Sequence, residues 1–197
     1  NLEEAAQLIG ETMLSTPPRV RSNQTMGVLL IEYPEGDTTG YSRELDLTTG
    51  ICRTRFSLGE VGMIQEVFAS APGDLIVIRL KPERKSVLNA VIRLERERDA
   101  TTEAWGNDQD NPSSGPGGKH MRFSAAMEVV PLGGTVTHEG ESLRIEGADE
   151  ALVLLTAVTD YNRSLLNFDR SIDPEYNCMN ILSNARAKTY KQLLKEH

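Results

Sequence analysis

Three histidines, His120, His138 and His197, supply the side chains best suited to acid–base work near neutrality, and they are too scattered to form a spaced metal cluster. Neither a Gly-x-Ser-x-Gly elbow nor a Walker-type phosphate loop is present. His120 is the most suggestive of the three, because it stands where a long polar loop re-enters strand-like sequence. The run Asn107-Asp108-Gln109-Asp110-Asn111 offers oxygen ligands for calcium. It continues as Pro112-Ser113-Ser114, without the glycine turn and distal glutamate of an EF-hand, so a solvated loop is the simpler reading. Trp105 lies in the same polar stretch, where its ring could stack on a sugar or plug one end of the fold.

Paired carboxylates would suit glycosidic bond cleavage if they faced each other across a cleft. Glu44 and Asp46 alternate with Leu45 and Leu47, which sets both acids on the wet side of one strand, with no pocket to raise the pKa of either. They read as surface groups. Cys52 and Cys178 are far apart, with no second Cys or His at ligand spacing, and both are expected to be buried free thiols. The sequence calls for no metal and no cofactor, and none of its residues is assigned a catalytic role.

The elements that hold these residues are mostly strands. Between Tyr41 and Ala69 three runs alternate apolar and polar side chains, with Gly50 and Gly59 at the junctions, which describes an antiparallel meander. Further strand signals fall at Met26–Tyr33, Leu75–Leu80, Ser86–Leu94, Met121–Val129, Thr135–Thr137, Leu143–Ile145 and Ala151–Val158. The runs at Met26, Leu75 and Ala151 are apolar on both parities, the pattern of strands covered on both faces. Ten strand signals with no helical pattern between them predict a mainly β fold, a large antiparallel β super-sandwich.

Helices flank it. Leu2, Ala5, Ala6, Ile9 and Met13 repeat at helical spacing and should stop before Pro17-Pro18. Asp173-Pro174 opens a stripe of Cys178, Ile181, Leu182, Ala185 and Leu193 that predicts one helix to the last residue. The expected organisation is a helix over residues 1–16, a sandwich over 17–160 with a long loop at 99–119, and a linker with the start of a helix over 161–197. Because the chain begins and ends within helical sequence, it is expected to be a piece of a larger protein.

Composition narrows the partners. The chain carries 29 acidic and 21 basic side chains, a net charge of -8, and no basic cluster to track phosphates, which argues against nucleic acid. No apolar run approaches the roughly 18 residues of a membrane span.

Seven stretches, taken in order, resemble the N-terminal region of family 95 glycoside hydrolases, the α-L-fucosidase and α-L-galactosidase group. They are Asn23-Gln24-Thr25-Met26-Gly27, Tyr41-Ser42-Arg43-Glu44-Leu45-Asp46-Leu47, Glu66-Val67-Phe68-Ala69-Ser70, Val77-Ile78-Arg79-Leu80, Met121-Arg122-Phe123, Gly133-Gly134-Thr135-Val136 and Gly147-Ala148-Asp149. The pattern departs at Val28, where an acidic residue is common, and at Gln65, where arginine is common.

The resemblance implies an N-terminal super-sandwich joined through helices to an (α/α)6 barrel, and inverting hydrolysis of an α-L-fucoside by a barrel glutamate and an asparagine-assisted water. No counterpart of those catalytic positions falls within these 197 residues. The chain's expected partner is therefore the catalytic barrel, with a fucosylated glycan met only indirectly. Asn23, Gln24, Trp105 and His120 are the candidates for the rim of the substrate site. A bacterial source and a secreted or periplasmic location are implied by the resemblance alone. A free-standing carbohydrate-binding module is the alternative, and Trp105 and Tyr161 are the aromatics available to it.

Overall fold

A computed structural model of the chain describes residues 1–13, 25–96 and 121–197. Among these, ten long strands form two antiparallel sheets. The strands are β1 (Val28–Glu32), β2 (Thr38–Asp46), β3 (Ile51–Leu58), β4 (Val61–Ser70), β5 (Leu75–Pro82), β6 (Leu88–Glu95), β7 (Phe123–Leu132), β8 (Thr135–Glu139), β9 (Ser142–Ala148) and β10 (Glu150–Thr159). A short hairpin follows, β11 (Tyr161–Asn162) with β12 (Asn167–Phe168). The sheets run β1-β6-β9-β8 and β2-β3-β4-β5-β10-β7. The mainly β sandwich with flanking helices is therefore the architecture observed.

Side-chain parity explains the layering. Ile78, Leu80, Ala151, Val153 and Val129 of the larger sheet face Ala90, Ile92, Leu143 and Ile145 of the smaller one and close the central core. The opposite parity of the larger sheet, with Phe68, Val77, Leu152 and Leu154, forms a second core beneath helices. β5 and β10 are thus apolar on both parities because both of their faces are covered. β1 shares that pattern but occupies an edge of the smaller sheet, where Val28 is 54% exposed, so the expectation of cover on both sides fails for it.

The meander β2-β3-β4 is antiparallel as its alternation implies, and Gly50 and Gly59 have the positive φ of tight connections, 66° and 54°. The buried face expected for its first strand is not found. Every residue of β2 is exposed, because the larger sheet is two strands wider than the smaller one and β2 is its outermost strand. Cys52, Leu45's direct partner across the β2–β3 pair, is half-buried rather than buried. Cys178 is buried, and no disulfide joins the two.

Three helices flank the sheets. Helix α1 (Leu2–Thr12) is capped by Asn1, whose side chain accepts from the Glu3 amide, and it buries none of its residues. The single C-terminal helix expected from the apolar stripe is instead two. Helix α2 (Pro174–Arg186) starts at Asp173, which accepts from the amides of Glu175 and Tyr176, and α3 (Tyr190–Glu196) starts afresh at Thr189. The break has a local cause: Thr189 and Gln192 form a reciprocal capping box that ends one helix and opens the next. Leu182 of α2 is 3% exposed within the second core. In urea unfolding of this 197-residue chain, Leu182→Ala should cost about 2–4 kcal/mol, while Leu47→Ala, at a site 87% exposed, should cost under about 0.5 kcal/mol.

Candidate functional site

The outer face of the larger sheet carries a row of alternating charges that the meander's register assembles. Glu44 stands opposite Arg53, Arg53 opposite Glu66, and Glu66 opposite Arg79. Opposite charges on facing cross-strand positions attract, so each strand holds its neighbour in register. Arg53 donates from Nε to Glu66 Oε1 at 2.8 Å and from a terminal nitrogen to Glu44 Oε1 at 3.0 Å. Arg79 donates to Glu66 Oε2 at 3.2 Å and clamps Glu150 of β10 bidentately at 2.8 and 2.7 Å. Arg55 adds a second donor to Glu44 at 3.0 Å.

Helix α3 closes this row from above. The Tyr190 hydroxyl donates to Glu66 Oε2 at 2.9 Å, and its ring lies under the Arg79 guanidinium, 4.4 Å from the centroid. His197 stacks on Phe68 at 4.7 Å between centroids, and its Nε2 is 2.9 Å from the Thr49 carbonyl in the β2–β3 turn. Between sheet and helix lies a depression of about 510 Å³, lined by Ile51, Arg53, Glu66, Arg79, Glu150 and the α3 residues. Burial is the largest influence on the Glu66 carboxyl and works to raise its pKa. The hydrogen bonds from Arg53, Tyr190 and Arg79 together outweigh it and hold Glu66 below the usual carboxylate range. Tyr190 is pushed up to about 12, chiefly by burial and then by its bond to Glu66.

A second polar knot ties the end of the sandwich to the helices. Asp160 has no exposed surface, and it accepts from the Arg122 amide at 2.8 Å and from Arg122 Nε at 3.1 Å. Arg170 also pairs with it. Arg122 continues to the carbonyls of Arg170 and Ile172 at 3.1 and 3.0 Å, which fixes the segment entering α2. A third fastening joins the sheets: Asp149 accepts from the amide and hydroxyl of Ser86 at 2.8 and 3.2 Å. Gly134 passes so close that an added Cβ would sit 2.3 Å from the Glu146 carbonyl oxygen, at a φ of 65° that only glycine adopts readily.

Asn23, Gln24, Trp105 and His120 lie outside the described residues, as does the run 107–111. Their described neighbours meet at one end of the sandwich: Arg96 donates to the Thr25 carbonyl, and its guanidinium lies 4.5 Å from the Phe123 ring. Glu44 and Asp46 are exposed, as read from the alternation. Glu44 belongs to the charge row, and Asp46 accepts from the amides of Thr48 and Thr49 in the turn. Sequence reasoning missed Arg53, Glu66, Arg79, Glu150 and Tyr190. The signal available was parity: once the hairpins are registered, Glu44, Arg53, Glu66 and Arg79 fall on one face with alternating sign. Among the described residues no group of three or more His, Cys, Asp or Glu side chains could hold a metal. No described helix is long and apolar enough to cross a membrane.

Fold and outer face together define a helix-capped antiparallel sandwich domain, fastened by ion pairs at two places and by a carboxylate–serine hydrogen-bond pair at a third. Residues 1–164 match the family described as glycosyl hydrolase family 65, N-terminal domain, and the chain belongs to that family. Its curated relatives include alpha-L-fucosidase 2 of Arabidopsis thaliana, 26% identical over 88% of this chain and 24% of that protein. Another is a probable alpha-fucosidase A of Aspergillus niger, 27% identical over 94% of this chain and 25% of that protein. These relatives uphold the resemblance to the N-terminal region of fucosidase-type hydrolases, and the matching domain family carries the number 65. Among solved structures, a putative kojibiose phosphorylase from the human microbiome shares the fold, with a TM-score of 0.52 and 12% identity over 85% of this chain and 26% of that one. The chain spans about a quarter of the length of the relatives it matches.

The charge row sets a pH dependence. Because the Glu66 pKa is lowered on folding, its contribution is complete above the unfolded carboxyl value of about 4.3 and is lost as pH falls through the folded value. Glu66→Gln should lower stability by roughly 1–3 kcal/mol at neutral pH and flatten the acid limb of the unfolding profile. Tyr190 acts at the other extreme: its raised pKa gives stability that is full below about 10 and is lost as pH rises toward about 12. Tyr190→Phe should remove that alkaline loss in unfolding followed by circular dichroism.

Proposed function

We propose that this chain is the non-catalytic N-terminal domain of an α-L-fucosidase-like glycoside hydrolase. In this reading it packs against the catalytic (α/α)6 barrel of the same protein and shapes the barrel's rim. The observation that carries it is the commitment of the carboxylates in the one depression described above. An inverting hydrolase needs one carboxyl group protonated at working pH to donate to the leaving oxygen. Glu66 is instead held ionised by Arg53, Tyr190 and Arg79, and Glu150 is clamped bidentately by Arg79. Glu66 is therefore not the protonated donor such a reaction needs, and both oxygens of Glu150 are occupied by Arg79.

The packing role draws on the helices. α2 presents Tyr176 and Met179, 65% and 36% exposed, on the side not committed to the sheet. Apolar groups of this size beside a domain's connecting helices suit an interface with a further domain. The names of the curated relatives point to an α-fucoside as the substrate of the whole protein. A secreted or periplasmic location, which the family resemblance implies, belongs to the same proposal.

Two measurements test it. In the full-length protein, Glu66→Gln should leave kcat/KM for an aryl α-L-fucoside within about twofold of the parent, whereas a loss of roughly a hundredfold or more would put Glu66 in the reaction. Titrating a fucosylated oligosaccharide into the 197-residue chain should give no saturable heat. Saturable binding would favour the carbohydrate-binding module.

A further inference from the structure

The two sheets are offset. β1 pairs only with β6 among the described residues, so no described strand lies along its other edge. Tyr33, which follows β1, meets Phe56 of β3 edge-on at 5.4 Å, and its hydroxyl lies 3.5 Å from Gln65 Oε1 of β4. The β1 edge of the smaller sheet therefore stands over β3 and β4, and β2 lies beyond it. Neighbouring strands are about 4.8 Å apart, so the next strand beyond β1 would fall over β2.

β2 is built for such a cover. Its polar parity is already engaged, Glu44 with Arg53 and Arg55, and Asp46 with the turn amides. Its other parity, the one that faces the sandwich interior, is largely apolar and bare, with Tyr41 and Leu45 exposed by 64% and 58%, and Leu47, the residue just past its end, by 87%. Arg43 sits in the same row with no ion-pair partner among the described residues. A strand whose alternation is this definite specifies two environments, and only one is filled.

We propose that the smaller sheet is completed by one more strand, contributed by the part of the full-length protein outside these 197 residues, which pairs with the other edge of β1. Its inward side chains are apolar, with one acidic residue facing Arg43, and they cover Tyr41, Leu45 and Leu47. The proposal rests on the reading of this chain as one domain of a longer protein, whose relatives are about four times its length.

The thiols test it. Cys52 lies directly beside Leu45 beneath the proposed cover, and Cys178, buried on the sheet-facing side of α2, is an internal reference. In native full-length protein, alkylation mapped by peptide mass should leave Cys52 as unreactive as Cys178. Leu47→Asp should then speed labelling of Cys52 by roughly tenfold while Cys178 stays protected. Free labelling of wild-type Cys52 beside a protected Cys178 would overturn the proposal. So would protection that appears only as protein concentration rises, which would assign the cover to a second copy. Hydrogen exchange on the wild-type protein decides the strand itself, whatever the variant does: consecutive β1 amides should all be protected. Free exchange at every second amide would mean that no strand pairs there. A preparation active on an aryl fucoside but with a reactive Cys52 would sink this inference and leave the proposed function standing.

Discussion

Glu66 is the hinge of the structure. It lies in the middle of a strand, nearly buried, between two arginines and beneath a tyrosine hydroxyl. A carboxylate in that position is costly unless each of its oxygens is matched, and here Arg53 serves one oxygen while Arg79 and Tyr190 serve the other. The same residues belong to β3, β5 and α3, so satisfying one charge aligns three strands and docks a helix. The apolar packing of Leu193 and Leu182 beneath the helices has no directional preference of its own. The charge row supplies the direction.

The other polar fastenings follow the same logic at the ends of the sandwich. Asp160 is fully buried and holds Arg122 and Arg170, which links the start of β7, the end of β10 and the segment leading to α2. Asp149 and Gly134 join the smaller sheet to the larger one where β7 gives way to β8 and β9 to β10. Most of the stretches that resemble fucosidase-type hydrolases contain one of these residues: Glu44, Glu66, Arg79, Arg122, Gly134 or Asp149. Their shared chemistry is the holding of the domain's shape.

Much of the fold was legible in the sequence because strand alternation is a direct record of two environments. The central strands β5 and β10 announced themselves by apolar runs on both parities, and Asp173-Pro174 marked the start of α2. β1 misled because an apolar run cannot distinguish a covered strand from an edge strand. The C-terminal helix misled because its apolar stripe continues across the break, although Thr189 and Gln192 at capping-box spacing were there to be read. The charge row could not be read as a site, since pairing depends on hairpin register and on α3 folding back across more than a hundred residues from Glu66 to Tyr190. Glu44 therefore looked like an ordinary surface acid, which it is by exposure, while its arginine partners come into view only once the hairpins are registered.

If the charge row and α3 are one unit, the two groups that join them must be energetically coupled. A double-mutant cycle on Glu66→Gln and Tyr190→Phe, followed by urea unfolding at neutral pH, measures this directly. The coupling should be about 1 kcal/mol or more, and additivity within roughly 0.3–0.5 kcal/mol would contradict the account.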